Sequence, residues 1–225
     1  MKAAVMQPAG NGSAHQHPMK QPQSTSPQTL QLDALLERVR ACTLCQGLPL
    51  GPRPLLQAGS GARILIAGQA PGRRAHLSGI PFDDISGERL RAWLGLTREQ
   101  FYDASRVAII PMGLCFPGTG KSGDLPPRPE CAPAWRAPLL ASLPQIALTV
   151  VLGRYALAWH CPEQARATLS DAVAAWLKAP GPVIPLPHPS PRNMAWLKRH
   201  PWFEAEVLPL LRERIQLALG TAGAT

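Results

Sequence analysis

The ten residues RILIAGQAPG, numbered 63–72, form a short apolar run that passes directly into a loop of glycine and proline. An apolar run of this length next to turn residues predicts a strand buried on both faces of a sheet. Three similar runs follow, at Val107–Pro111, Leu148–Leu152 and Val183–Leu186. Between the runs, helical apolar spacing occurs at 87–95, 132–142, 154–160 and 165–178. This alternation predicts an α/β fold with a mostly parallel sheet and helices on both faces.

The segments on either side extend the predicted domain to 29–220. A helical stripe of leucines and Val39 precedes Cys42, and a last helix with one apolar face follows Pro201. Residues 1–28 are rich in Gln, Pro, Ser, Gly and His and have no hydrophobic period. We therefore predict a disordered tail over 1–28.

The composition indicates a globular protein with a basic surface. The 225 residues suffice for one domain with a sizeable core, and the formal net charge is +9. Only Lys2 and Lys20 are charged among the first 29 residues, so +7 stays on the folded part. A basic surface suits a polyanionic partner such as DNA, although a solvated basic surface is equally consistent with the charge. With no bilayer-length apolar stretch and no signal-peptide core, we expect a cytoplasmic protein, monomeric and without a membrane partner.

Loops that follow the strands are the candidate functional segments. In such sheets ligands bind beyond the carboxyl ends of the strands. This rule places Gly68–Gly72, Met112–Gly120, Gly153 and His188–Asn193 on one edge. Glycines in the first loop allow close approach of a ligand, and two prolines in the last loop fix the direction of His188. A neutral histidine there is suited to donate a hydrogen bond to a developing oxyanion, although either loop by itself is more often structural.

Four cysteines form a candidate metal site. Their pattern is Cys42-x-x-Cys45, followed by Cys115 and Cys131. Four thiolates suit a 4Fe–4S cluster or a structural zinc ion, and buried unligated thiols are the alternative. We predict that Cys161, which lies outside this pattern, is a core residue.

A stretch that resembles a phosphate-binding P-loop has to be rejected. Its residues are Gly118-Thr119-Gly120-Lys121-Ser122, but the required first glycine falls at Cys115. Asp124-Leu125-Pro126-Pro127 follows where a helix should begin. The sequence therefore does not support a nucleotide triphosphatase.

Taken together, these segments resemble the uracil-DNA glycosylase superfamily, and especially its iron–sulfur branch, over roughly Leu30 to Leu219. Gly68–Gly72 is similar to the family's first motif, the loop that holds the catalytic water. His188-Pro189-Ser190 is similar to the second motif, whose histidine contacts a carbonyl oxygen of uracil. The resemblance implies a three-layer α/β/α sandwich around a four-stranded, mostly parallel sheet.

The resemblance also implies roles for further residues. Gly79-x-Pro81-Phe82 matches the stretch that supplies an aromatic ring, so Phe82 is expected to stack on the extruded base beside Gly68 and Ala70. Arg192 falls where related enzymes insert a residue into the duplex, and we expect Ser190 and Arg192 to contact DNA. The four-cysteine pattern fits the family's ligands for a 4Fe–4S cluster: Cys42, Cys45, Cys115 and Cys131.

The sequence departs from the family pattern at three positions. Gln69 stands where the iron–sulfur branch has a glutamate, and Ala70 where the best-known uracil branch has an aspartate. Pro111 replaces the usual asparagine four residues before the third cysteine, so base reading must differ.

Acidic residues nearby offer a substitute for the missing carboxylate. Asp83 and Asp84 directly follow Phe82, although surface solvation or helix capping near Ser86 is an equal use for them. The candidate catalytic residues are therefore His188, Gln69, Asp83 and Asp84.

The sequence favours a monofunctional DNA glycosylase of base-excision repair that removes uracil or another deaminated base. The alternative is a module that binds damaged or single-stranded DNA without efficient hydrolysis, which Gln69 and Ala70 would favour. An iron–sulfur redox protein is the third class, but electron transfer needs neither Gly68–Gly72 nor the His188 loop.

Overall fold

The computed structural model describes Met1, residues 26–121 and residues 123–220. Most of the predicted disordered tail lies outside the described residues. Helix α1 (Pro27–Arg40) begins after Ser26, whose hydroxyl accepts a hydrogen bond from the Thr29 N–H. The stripe predicted before Cys42 lies on this helix, with Leu32, Leu36 and Val39 buried.

A four-stranded parallel sheet forms the centre of the domain. In chain order the strands of the described residues are β1 (Ile64–Ala67), β2 (Val107–Ile109), β3 (Thr119–Gly120), β4 (Gly123–Asp124), β5 (Leu148–Leu152) and β6 (Val183–Leu186). The order in the main sheet is β2–β1–β5–β6, and every pairing is parallel. All four predicted apolar runs contribute to it, while β3 and β4 form a separate antiparallel hairpin.

Helices cover the sheet on both faces. After α1 they are α2 (Arg73–Ser78), α3 (Ile85–Leu94), α4 (Arg98–Tyr102), α5 (Cys131–Ala141), α6 (Arg154–His160), α7 (Leu169–Lys178), α8 (Met194–Arg199) and α9 (Leu208–Gly220). A π-helical turn, Phe203–Val207, leads into α9. The predicted helical segments correspond to α3, α5, α6, α7 and this final helix. The short helices α2, α4 and α8 have too few turns to show a period; α4 begins instead with a capping box between Thr97 and Gln100.

Alternate residues of β1 point to opposite sides of the sheet. Ile64 and Ile66 enter a large cluster that includes residues of α3, α7 and α9. Leu65 enters a second cluster with residues of α1 and α5. These two apolar layers confirm the predicted three-layer α/β/α arrangement. Cys161 is buried in a smaller third cluster, as predicted.

Helix α5 carries an arginine that is only 2% exposed. Arg136 donates hydrogen bonds to the carbonyl oxygens of Ile110 (3.0 Å) and Pro111 (3.4 Å), and its guanidinium contacts Nε2 of His160. Burial lowers the pKa of Arg136 to about 10 and that of His160 to about 4. Among the described residues no carboxylate forms an ion pair with Arg136. The carboxyl end of β2 is thereby fixed to α5.

Within the described parts of the chain, no helix combines the length and apolar character that a membrane crossing requires.

Candidate active site

A cavity of about 490 Å³ lies beyond the carboxyl ends of the main sheet. Its walls come from the loop after β1, the segment before α3, the end of β2, the hairpin and the loop after β6. The lining residues are Gly68–Gly72, Ala75, Pro81, Phe82, Asp84, Ser86, Ile109, Pro111, Asp124, His188 and Ser190–Asn193. The structure thus brings together the two loops that the sequence singled out. Met112–Gly120 and Gly153, expected at the same edge, do not line the cavity.

Backbone and side-chain hydrogen bonds fix the first loop. The carbonyl oxygens of Gly68 and Gln69 accept from the N–H groups of Met112 and Gly113, both at 2.9 Å. The side-chain amide of Gln69 donates to the carbonyl oxygen of Leu125 at 2.9 Å. Gln69 therefore connects the loop to the segment that follows the hairpin.

Phe82 forms one wall of the cavity and has a strained backbone. Its φ of 55° lies in the left-handed region, which is unusual for a bulky residue. A Cβ atom added to Gly68 would lie 3.2 Å from Cζ of Phe82, and one added to Gly87 would overlap the Phe82 carbonyl oxygen. The ring also makes an edge contact with Phe101. Two glycines and an aromatic neighbour therefore determine where the ring lies.

His188 is held in one tautomer by its own loop. Its Nδ1 accepts a hydrogen bond from the Ser190 N–H at 3.2 Å, and its carbonyl oxygen accepts from Nδ2 of Asn193 at 2.7 Å. Burial lowers the pKa of His188 below its ordinary value, against the opposing effect of the Asp84 and Asp124 carboxylates. At neutral pH the imidazole is neutral and carries its proton on Nε2, where it is a hydrogen-bond donor.

The two adjacent aspartates have different places. Asp83 forms an ion pair with Arg98 at 3.0 Å and does not line the cavity; a hydrogen bond from Arg98 lowers the pKa of its carboxyl group. Asp84 is the N-cap of α3, with Oδ1 accepting from the Gly87 N–H at 2.9 Å, and it lines the cavity. The predicted capping use is confirmed, and it coexists with a place in the site.

Sequence reasoning missed Asp124. This residue ends the hairpin, and its Oδ1 accepts a hydrogen bond from the Thr119 hydroxyl at 3.3 Å. Asp124 lies two residues after the P-loop-like stretch. The two strands of the hairpin are each two residues long, which is too short to show an apolar period. The available signal was the pair of glycines, Gly120 and Gly123, which favours a tight turn at this point.

Ser190 and Arg192 lie at the rim. Ser190 is the N-cap of a 3₁₀ turn, Pro191–Asn193, and its hydroxyl accepts from the Arg192 N–H at 3.3 Å. The exposed guanidinium of Arg192 lies against the backbone of Gly123, where an added Cβ would overlap it. The loop after β6 and the hairpin of β3 and β4 therefore meet at this point.

The four candidate ligand cysteines line a second, smaller cavity beside α5. The Leu114 N–H lies 3.3 Å from Sγ of Cys131, and Nε1 of Trp135 lies 3.2 Å from Sγ of Cys42. Cys131 is the first residue of α5. No three histidine, cysteine or acidic side chains of the described residues are grouped closely enough to hold a single metal ion.

The fold and the site define an α/β protein whose candidate ligand cavity lies beyond the carboxyl ends of a parallel sheet, with an aromatic wall, a histidine donor and carboxylates. This chain is a member of the uracil DNA glycosylase superfamily, whose family model matches residues 57–212. A solution NMR structure from Methanosarcina acetivorans, provisionally described as a uracil DNA glycosylase, is similar with a TM-score of 0.41. The two share 16% sequence identity, over 72% of this chain and 98% of that one. The predicted superfamily is confirmed, whereas the iron–sulfur branch stays a prediction.

Proposed function

We propose that this protein is a DNA glycosylase that hydrolyses the N-glycosidic bond of uracil or another deaminated base. The observation that carries the proposal is His188: its Nδ1 is occupied by the Ser190 N–H, so its Nε2–H is available in a cavity that Phe82 also lines. A flat base in this cavity would stack its face on the Phe82 ring and accept a hydrogen bond from His188 at one of its carbonyl oxygens.

The chemistry follows from the charges that develop. When the bond between C1′ of the sugar and the base nitrogen breaks, its electron pair leaves with the base. A neutral His188 donates a hydrogen bond to the carbonyl oxygen on which this charge accumulates. Asp84, fixed as the helix cap, is the carboxylate that we assign to orienting the attacking water. Asp83 is less suited because Arg98 holds it outside the cavity.

The cavity supports hydrolysis without a lyase step. A lyase reaction requires an amine that forms a Schiff base with the sugar. None of the lining residues that the structure describes is a lysine. We therefore assign the enzyme to the monofunctional type.

A panel of oligonucleotides tests the proposal. Excess enzyme is incubated under single-turnover conditions with DNA containing uracil, hypoxanthine, xanthine or mismatched thymine, in single and double strands. Release of at least one base is expected. Binding without release of any of the four would instead support the alternative, a module that recognises damaged DNA.

Arg192→Ala is expected to weaken duplex binding more than single-strand binding. A long cationic side chain at the cavity rim is suited to fill the space that an extruded base leaves, and only a duplex has that space. We expect about a tenfold loss on duplex DNA, the order of one lost stacking contact. Fluorescence anisotropy with an uncleavable uracil analogue measures both affinities. Arg199→Ala, an exposed arginine of α8 outside the cavity, is the control. Equal losses of Arg192→Ala on both substrates would make Arg192 a phosphate contact.

We also propose that Cys42, Cys45, Cys115 and Cys131 bind a 4Fe–4S cluster with a structural role. Their shared cavity and the N–H donors at two of the sulfurs fit this chemistry, because thiolates bound to a cluster accept such hydrogen bonds. Buried Arg136, on the same helix as Cys131, offers a positive charge near a thiolate set. The cluster would join the segment after α1 to the core.

Protein purified without oxygen is therefore expected to be brown and to contain iron and acid-labile sulfide. Cys45→Ser, which removes one ligand at a half-buried position, should bleach the colour and lower the melting temperature. Colourless protein that contains stoichiometric zinc would show that the four cysteines bind zinc and not a cluster. Protein without any metal would refute both.

A further inference from the structure

The hairpin of β3 and β4 closes one side of the cavity. Its first strand lies within the stretch whose letters resemble a P-loop, and its described residues contact both motif loops. The Gln69 amide donates to Leu125 just beyond it, and the Arg192 guanidinium lies on the backbone of Gly123. The Leu125 N–H in turn donates to the Gly118 carbonyl oxygen at 2.8 Å. The hairpin is thus a fixed wall of the site.

Asp124 presents a carboxylate from this wall. Its Oδ1 is held by the Thr119 hydroxyl, and its Oδ2 would lie 3.3 Å from a Cβ atom added to Gly72. Oδ2 of Asp84 would lie 4.0 Å from the same point, while Oδ1 of Asp84 caps α3. The second oxygens of the two carboxylates therefore approach one place at the end of the first loop.

These are the two acidic side chains among the described residues that line the cavity. The loop Gly68–Gly72 supplies no carboxylate, because Gln69 and Ala70 are neutral. Both carboxylates also lie close enough to His188 to act on it electrostatically, and each acts to raise the pKa of the imidazole. A reaction that leaves negative charge on the base leaves positive charge on the sugar, and negative groups near that sugar lower the barrier.

We propose that Asp124 is a second catalytic carboxylate, which acts with Asp84 on the attacking water and on the sugar cation. The inference rests on the proposed glycosylase function and adds a residue to it.

The step is balanced without any further reactant. The bond between C1′ and the base nitrogen breaks, and its electrons leave with the base. The water oxygen forms a bond to C1′, and one of the carboxylates accepts the proton that the water loses. That proton then passes through solvent to the departed base, which leaves as the neutral molecule. The products are free base and an abasic site.

A pair of uncleavable oligonucleotides tests the charge directly. One carries a protonated pyrrolidine in place of the target sugar, and the other carries neutral tetrahydrofuran at the same position. Wild-type protein is expected to bind the cationic probe more tightly. Asp124→Asn should reduce this preference about three- to tenfold, because an amide lacks the charge that attracts the probe and solvent screens the exposed carboxylate.

Matched variants separate charge from structure. Asp33→Asn changes an exposed aspartate of α1 and should keep the wild-type preference. Thr119→Val removes the hydrogen bond to Asp124 but keeps its charge, so it should have a smaller effect than Asp124→Asn. Asp84→Asn should also reduce the preference, and the double variant should reduce it further. Melting temperatures show whether each variant is folded.

The outcomes separate this inference from the proposed function. An unchanged preference in Asp124→Asn, an equal loss of affinity for both probes, or no preference in the wild type would each overturn the role of Asp124. Base release is measured on the same preparations. A wild type that releases no base but shows a preference sensitive to Asp124→Asn would refute the glycosylase proposal and leave the carboxylate pair.

Discussion

Replacing His188 with alanine is expected to lower the single-turnover rate of base release about a hundred- to a thousandfold, the usual cost of losing one preorganised donor to a developing oxyanion. Its Nδ1 is already engaged by the Ser190 N–H, so the imidazole has one productive direction for its proton. DNA affinity should stay close to wild type because it depends mainly on phosphate contacts.

His188→Gln is the informative companion, because glutamine retains an N–H donor without the fixed ring. We expect its rate to lie between those of wild type and His188→Ala. Quenched-flow measurement of the released base, together with anisotropy for binding, separates chemistry from affinity. An alanine variant as active as wild type would show that the superfamily mechanism does not operate in this chain.

Gly87→Ala is expected to have the largest effect on stability. An added Cβ would overlap the carbonyl oxygen of Phe82, which is backbone and has no other rotamer to adopt. We expect a loss of about 3 kcal/mol in the free energy of unfolding, the upper end of ordinary overpacking. Because Phe82 must move, base release should slow as well.

Gly181→Ala provides the matched control, since an added Cβ there meets no atom within 4 Å. This substitution should change the free energy of unfolding by less than about 0.5 kcal/mol. Urea unfolding followed by tryptophan fluorescence compares the two variants. Similar stability in both would mean that the segment before α3 moves aside at little cost.

The strands and the two motif loops could be predicted because they follow from local rules. Continuous apolar runs marked all four strands, and the parallel arrangement placed Gly68–Gly72 and His188 at one edge. The order β2–β1–β5–β6 could not be obtained in this way, because it depends on which helix faces cover the sheet. The predicted cytoplasmic location and monomeric state stay predictions.

The carboxylates show where local rules end. Asp83 and Asp84 are adjacent in sequence, and their separation into a surface ion pair and a cavity wall arises only as the chain turns into α3. Asp124 comes from a hairpin stabilised by contacts with Gln69 and Arg192, which are distant in sequence. Contacts of this kind have no periodic signature.

Buried Arg136 connects the region of the four cysteines with the larger cavity. The guanidinium joins the carbonyl oxygens of Ile110 and Pro111 to α5, the helix that begins with Cys131. Pro111 also lines the larger cavity beyond the strand ends. One buried side chain thereby connects the helix that begins with Cys131 to a wall of the larger cavity. We therefore expect that loss of the proposed cluster would also slow base release, although no thiol takes part in the proposed reaction.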